Sequence, residues 1–488
     1  MTTQPLAIGL EALQARLQAD LSVLELPAKS WVPPREHAGQ RVRDVVVVGG
    51  GMCALVALGS LKLLGIDNII AYDQSPAGRE GPWVTFARMR TLRSPKHLTG
   101  PALGQPALTF RAWYEAQFGP GGWAQLDKIP RAMWMDYLVW YRQVLALPIE
   151  NRTRVTAITP LPDDLLAVEI ERLDGGALET IYARRVVLAT GRAGLGAPFI
   201  PDFATTVDRR YWAHSADDID FASLRGKRVA VIGAGASAMD NAATALETGA
   251  ASVDLFVRRP DLPRVNKFTG ISSQGVVNGF AGLPDAWKWQ FLHHTLGAQT
   301  PPPRDSTLRV SRHCNARFHL GSPVTGLRVA GDHVVLSTPR GEYPLDFVIF
   351  GTGFHVSTQA RPELAAFADN ISYWRDRFAV PPGQENAELS ASPYLGPGFE
   401  FQEKSEGQTP ALRQIHSFNY PATLSHGKVS GDIPAVSDGA QRLAKAIAGS
   451  LFVEDRAIHY ANLVAYDTPE LQGDEWTDHE ASTEEQSA

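Results

Sequence analysis

Three small residues at fixed spacing, with one acid further on, are where chemistry first becomes legible. Gly49, Gly51 and Ala54 follow a run of valines, and Asp73 comes 22 residues after Gly51. A bound dinucleotide needs a glycine where the strand turns, a second where backbone approaches the pyrophosphate, and a small third residue where helix meets sheet. A carboxylate downstream then accepts from the ribose hydroxyls, and Asp73, followed by Gln74, stands at that distance. Met52 opens the helix whose free N–H groups and dipole face the phosphates. A second set, Gly233, Gly235, Ser237 and Ala238, follows another valine-rich strand, but its next strand ends in Val257-Arg258-Arg259 without an acid. Guanidinium groups bind phosphate by charge-assisted bonds, whereas a carboxylate there would repel it, so Arg258 and Arg259 point to NADPH rather than NADH. Two further small-residue turns, Ala189-Thr190-Gly191 and Gly351-Thr352-Gly353, end apolar strands and are expected to pass close to a bound cofactor.

The elements that must position these residues are strand, helix, strand, twice over. The first unit reads as a strand over 44–48, a helix over 52–64 and a strand over 68–73. The second reads as a strand over 228–232, a helix over 236–247 stopped by Gly249, and a strand over 252–257. The fold class is therefore α/β, with two Rossmann-like dinucleotide-binding domains, the second inserted into a discontinuous first. The expected division is a helical lead-in (1–43), a first segment of the first dinucleotide-binding domain (44–200), an NADPH-binding domain (201–345), a second segment of the first domain (346–466) and an acidic tail (467–488), and the resemblance given below implies that the first domain binds FAD. The lead-in rests on Leu10, Leu13, Leu17 and Leu21 at helical spacing, and the tail on eight acidic residues without Lys or Arg.

Composition removes several alternatives. The 488 residues suit two or three domains, and a net charge of −6 excludes the basic footprint of a nucleic-acid protein. The apolar run 45–61 approaches membrane-spanning length but carries three consecutive glycines at a strand-to-helix turn, and the first 40 residues lack a signal-peptide pattern. A reducing cytoplasm is the expected location, since only Cys53 and Cys314 are present. Those two cannot form the short-spaced dithiol of a pyridine nucleotide-disulfide reductase. No metal site is expected from the histidine spacing, and the tryptophans Trp113, Trp123, Trp134 and Trp140 read as core on probable helices.

Taken together, these motifs resemble the two-dinucleotide-domain flavin monooxygenases, which include flavin-containing monooxygenases, amine N-hydroxylases and Baeyer-Villiger enzymes. Gly49 to Ala54 with Asp73 looks like their FAD site, Gly81-Pro82-Trp83 is similar to their Gly-Gly-x-Trp segment beside the flavin, and Gly233 to Ala238 looks like their NADPH site. Asp346 to Phe354 is similar to a signature of the N-hydroxylases, and so is His426-Gly427 through Asp432, which would place Gly431 and Asp432 near the flavin before a last helix over 440–451. Departures accompany these matches. Asp208 and Arg210 replace the Phe and Gly of the Baeyer-Villiger motif that ends at His214, and Pro82 replaces a glycine. The resemblance implies a cytoplasmic enzyme that uses FAD and NADPH to insert one oxygen atom from O2 into a small organic substrate through a C4a-(hydro)peroxyflavin. N-hydroxylation of an amine is the first expectation, with Baeyer-Villiger or sulfur oxygenation as the alternative, and a non-catalytic nucleotide-binding flavoprotein as the alternative of another class. Arg93 and Lys96 are the candidate catalytic residues, placing positive charge at the flavin edge. Homo-oligomerisation is left open.

Overall fold

Val45 to Val48 are buried on both sides of the pleat, as a strand between two layers must be. They form β1 (Arg43–Val48), which leads into α1 (Met52–Leu63) and returns in β2 (Ile69–Tyr72). The computed structural model describes residues 9–476. β1 lies in a seven-stranded sheet between β2 and β3 (Ala177–Leu188), parallel to both. β3 is long enough to serve two layers. Its first half pairs antiparallel with Leu165–Arg172, which in turn pairs with Thr153–Leu161, and its last residues pair in parallel with Ile415–Ser417 from far along the chain.

The second unit forms an all-parallel five-stranded sheet. Its centre is β4 (Arg228–Ile232), which leads through α2 (Ala236–Thr248) to β5 (Ser252–Val257). The other neighbour of β4 is β6 (Phe347–Phe350), with Val229 opposite Phe347 and Ile232 opposite Phe350. The expected boundary at 346 is thus corrected: the strand assigned to the second FAD segment completes the other sheet. The chain crosses between the sheets twice, and the two crossings pair antiparallel, Gly196–Pro198 against Phe354–Val356.

Helices cover the first sheet. Phe110–Gln125 and Arg131–Val144 carry Trp113, Trp123, Trp134 and Trp140, all buried around Phe110 and Tyr137, so these indoles are core as expected. The lead-in helix runs from Leu10 to Val23 and buries Leu13, Leu17 and Leu21 on the same core; its expected first residues lie outside the described part. The last helix is longer than expected, α3 (Val436–Glu454), and a further helix, α4 (Arg456–Ala465), follows it unforeseen. Beneath β1 and β3, Arg184 is wholly buried. Its Nη1 donates to Asp455 at 2.8 Å, and Nη2 lies 3.0 Å from Glu454 without a good hydrogen-bond angle. Arg185 and Arg35 reach the same Glu454, so four charged residues besides Asp455 pin the end of α3 to the sheet. The acidic stretch 467–476 is exposed and forms neither helix nor strand; the remainder of the expected tail lies outside the described residues.

Candidate functional site

Gly49 has φ +106°, and a Cβ there would stand 2.7 Å from the Ala189 carbonyl oxygen, so no other residue fits the turn from β1 to α1. Gly50 N–H donates to Asp73 Oδ2 and Ser75 N–H to Oδ1, both at 2.7 Å. Each carboxylate oxygen keeps a second acceptor site, and Asp73 is only half-buried, so it can still accept from a ribose. Gly51 stands at the N-cap of α1 with no side chain closing the first turn, and Gly81 backbone passes 3.8 Å from where its Cβ would be. Ala54 is fully buried at the helix–sheet contact, and Met52 is buried beside it, while Gln74 is exposed. A cleft of about 310 Å³, lined in part by Gly50, Gly51, Gly78, Met135 and Arg142, opens beside this turn. Glycines without room for a side chain, an uncapped helix start and a carboxylate with free acceptor sites fit a dinucleotide.

The C-terminal segment closes against the same turn. Cys53 Sγ donates to the Ser430 carbonyl at 3.5 Å, and Ser430 Oγ to the Asn419 carbonyl at 2.7 Å. Asn419 Nδ2 donates to Leu188 O at 3.3 Å and Thr190 Oγ1 at 3.2 Å, while Gly191 O accepts from Tyr420 N–H. Ala189, Thr190, Gly191, Gly431 and Asp432 are thereby gathered round the first site. Sequence reasoning missed Asn419, because a lone Asn has no spacing signal. Asp432 lies 3.8 Å from Lys428, and its charge acts on Arg93, whose guanidinium burial otherwise pulls below its usual range. Trp83 packs 6.1 Å from Trp134, and its carbonyl accepts from Arg131.

The two expected catalytic cations part company. Arg93 feels the charge of Asp432 and donates to Pro301 O at 2.9 Å. Lys96 instead places its ammonium on the carbonyls of Trp123 and Leu126, at the end of helix Phe110–Gln125, which corrects its expected place at the flavin edge. Cations are stabilised there by the open carbonyls of the last turn.

At the second site Gly233 has φ +127°, with the Gly351 carbonyl oxygen 2.4 Å from where a Cβ would stand, and a Cβ on Gly351 would meet that of Ala238 at 2.7 Å. Gly351 was not singled out, although it lies within the run read as a small-residue turn. Gly235 faces open space and Ser237 is exposed in the uncapped first turn of α2. Arg258 is exposed; Arg259 is half-buried and donates to Gly297 O at 2.7 Å. Both follow β5, on the side of the sheet end where an adenosine phosphate would lie. Asp346, in the run that resembles a signature, is a structural clamp. It accepts from Arg228 N–H and Nη2, each at 2.7 Å, and that arginine holds its carboxyl below the usual range. Thr352 donates to Phe199 O and Gly353 O accepts from Phe199 N–H, so both sit on the paired crossings rather than in the glycine turn.

Between β5 and the strand Ala316–Leu320 the chain carries a helical insertion, including Gln274–Gly279 and Asp285–Ala298. Phe280 lies 3.1 Å from where a Cβ on Gly427 would be, and Arg442 Nη2 on α3 donates to Val277 O at 2.8 Å. His426 is buried and stacked on Phe399 at 3.8 Å. Burial, with Arg442 adding to it, pulls its pKa down to about 3, so the imidazole is neutral: Nε2–H donates to Gly396 O at 2.9 Å and Nδ1 faces Arg442.

Comparison with known proteins bears on this arrangement. The family description "L-lysine 6-monooxygenase/L-ornithine 5-monooxygenase" matches residues 123–289, and "FAD-NAD(P)-binding" matches 46–193. The FAD-dependent urate hydroxylase of Xanthomonas campestris is 42% identical over 467 residues, covering 96% of this chain and 98% of that protein. The chain belongs to the two-dinucleotide-domain flavin monooxygenases. This monooxygenase also shares its fold with the ornithine hydroxylase of Pseudomonas aeruginosa (TM-score 0.66, 16% identity, 85% of this chain and 99% of that one). The ornithine N-hydroxylase of Kutzneria sp. 744 gives a TM-score of 0.65 at 17% identity, covering 84% and 99%. FAD and NADP(H) are its cofactors. When bound, the flavin takes hydride from the nicotinamide and activates O2. Among the described residues no helix is long and apolar enough to cross a membrane.

Proposed function

We propose that this monooxygenase hydroxylates urate or a closely related oxopurine. The observation that carries this reading is the urate hydroxylase relative, whose likeness spans both nucleotide sites and the helical insertion that follows the second. The charges round Asp432 support it: Lys428 lies 3.8 Å away and Arg93 feels its charge, two cations with one acceptor. A planar anion with ring N–H donors and oxo acceptors is complementary to such a set. The chain holds FAD through Gly49, Gly51, Asp73 and the Asn419 to Asp432 segment, with Trp83 beside it, and holds NADPH through Gly233, Gly235, Ser237, Arg258 and Arg259. The residues of the insertion and of the His426 segment exclude water and orient the substrate. The free cysteines and the use of NADPH support action in the cytoplasm.

N-hydroxylation of an amine is the second reading, favoured by the lysine/ornithine family match over 123–289. The two part on product: mass spectrometry after turnover with NADPH and 18O2 is expected to give a hydroxylated urate with one labelled oxygen. A labelled hydroxylamine from ornithine, lysine or a diamine, with urate untouched, transfers the assignment to the second reading. Hydrogen peroxide alone from both panels overturns both.

A further inference from the structure

We propose that this monooxygenase pairs with a second copy of itself through its C-terminal helix. α4 buries none of its residues, and from Arg456 to Trp476 every residue except His459 is exposed. Exposure of that length is ordinary for a polar tail, but α4 is not polar. Ile458, Tyr460, Leu463 and Val464 stand 45–71% exposed, and Tyr466, with Phe452 and Val453 at the end of α3, extends the same surface.

The helix cannot stand in water on its own account. Ten residues are marginal for an isolated helix. At 100° per residue, Tyr460, Leu463 and Val464 fall within one arc of 100°, an apolar stripe that is stable only where other protein covers it. Its base is fixed to its own chain: His459 stacks on Phe452 at 4.5 Å and lies 6.0 Å from Trp31, while the remainder stands clear. Seven large apolar side chains at these exposures present on the order of 700 Å², beyond the patch of an ordinary monomer and close to one partner's share of a standard interface.

Charge selects the occupant. From Ala457 to Tyr466 there is no Asp, Glu, Lys or Arg. A charged partner would therefore be desolvated without compensation. A helix lying on a lipid surface carries Lys and Arg along its polar face, and α4 has only Arg456, whose Nη1 is engaged by Val453 O. An uncharged apolar surface of matching extent is presented by the same helix on a second copy, and a two-fold axis brings the two together with every contact repeated.

Light scattering on the FAD-loaded full chain at micromolar concentration is expected to give twice the chain mass. Leu463→Asp with Val464→Asp is expected to halve it, with FAD content and the rate of NADPH oxidation unchanged. Deletion of residues 459–488, which ends the chain at the exposed Ile458 and leaves α3 and its ion pairs complete, is expected to do the same without placing a charged side chain on the helix. A monomeric native chain overturns the proposal, as does a dimer that survives either change. So does flotation of the native chain with phosphatidylcholine or phosphatidylserine vesicles in place of self-association.

Discussion

Asp44 is an acid held where its charge is disfavoured. It sits at the start of β1, 3% exposed, and burial raises its pKa to about 7 against the pull of Arg184 and Arg41. The folded protein therefore keeps a proton on Asp44 that the unfolded chain releases near pH 4. Its contribution is present below pH 4 and is lost as pH rises towards 7, at about 1.4 kcal/mol per pH unit within that window. Asp44→Asn is expected to flatten the urea midpoint against pH between 4 and 7 and to leave the variant more stable at pH 8. At the first nucleotide site, Asp73→Ala is expected to lower FAD occupancy, read from the flavin absorbance of purified protein. Full occupancy would refute the ribose contact. At the second, Arg258→Ala with Arg259→Ala is expected to shrink the NADPH-to-NADH ratio of kcat/KM at least tenfold, which corresponds to about 1.4 kcal/mol of lost phosphate binding. An unchanged ratio would place the phosphate elsewhere.

Among elements, the crossing of β4, α2 and β6 leaves no room for a larger side chain. Gly351→Val would drive a side chain into Ala238 and the Ile232 carbonyl, which lies 3.1 Å from the Cβ position. Overpacking of this kind costs about 1–3 kcal/mol and shifts the first turn of α2. The expected variant binds FAD at native level and loses NADPH-driven flavin reduction while dithionite still reduces it; retained NADPH reduction would contradict the crossing's role. This crossing also shows why reading the sequence succeeded only in part. Both strand–helix–strand units were legible because glycines, valine runs and caps lie within about thirty residues of one another. The partner of β4 was not, since β6 is an apolar strand ending in Gly-Thr-Gly like any other, and only the sheet decides which domain receives it. Lys96 misled for the same reason: a cation near a motif looks catalytic until the carbonyls that hold it come from a helix thirty residues away. α4 was not read, although Tyr460, Leu463 and Val464 stand at helical spacing, because only Asp455 separates it from α3 and no Gly or Pro marks the break.

For the whole molecule, the buried ion cluster beneath the first sheet ties chain segments far apart in sequence. Arg184→Leu leaves Glu454 and Asp455 without their buried partner, and such losses cost about 3–5 kcal/mol. Urea unfolding is expected to show that loss at pH 8, together with weaker FAD retention, because α3 packs on α1. A change below 1 kcal/mol would mean that Arg185 and Arg35 suffice for the cluster. The short strand Ile415–Ser417 sets a further condition, this one on synthesis. All five strands of the inserted domain lie between Trp212 and Phe350, so that domain can close while the ribosome still works downstream. The first sheet cannot, because the edge at Val186–Leu188 waits for a strand roughly 230 residues later, on the order of 10–50 s at ordinary elongation rates. For that interval the nascent chain offers an unpaired apolar edge to its neighbours. Slower translation through 351–417 prolongs the exposure, and the share of chains recovered as aggregate rather than as yellow protein rises with it.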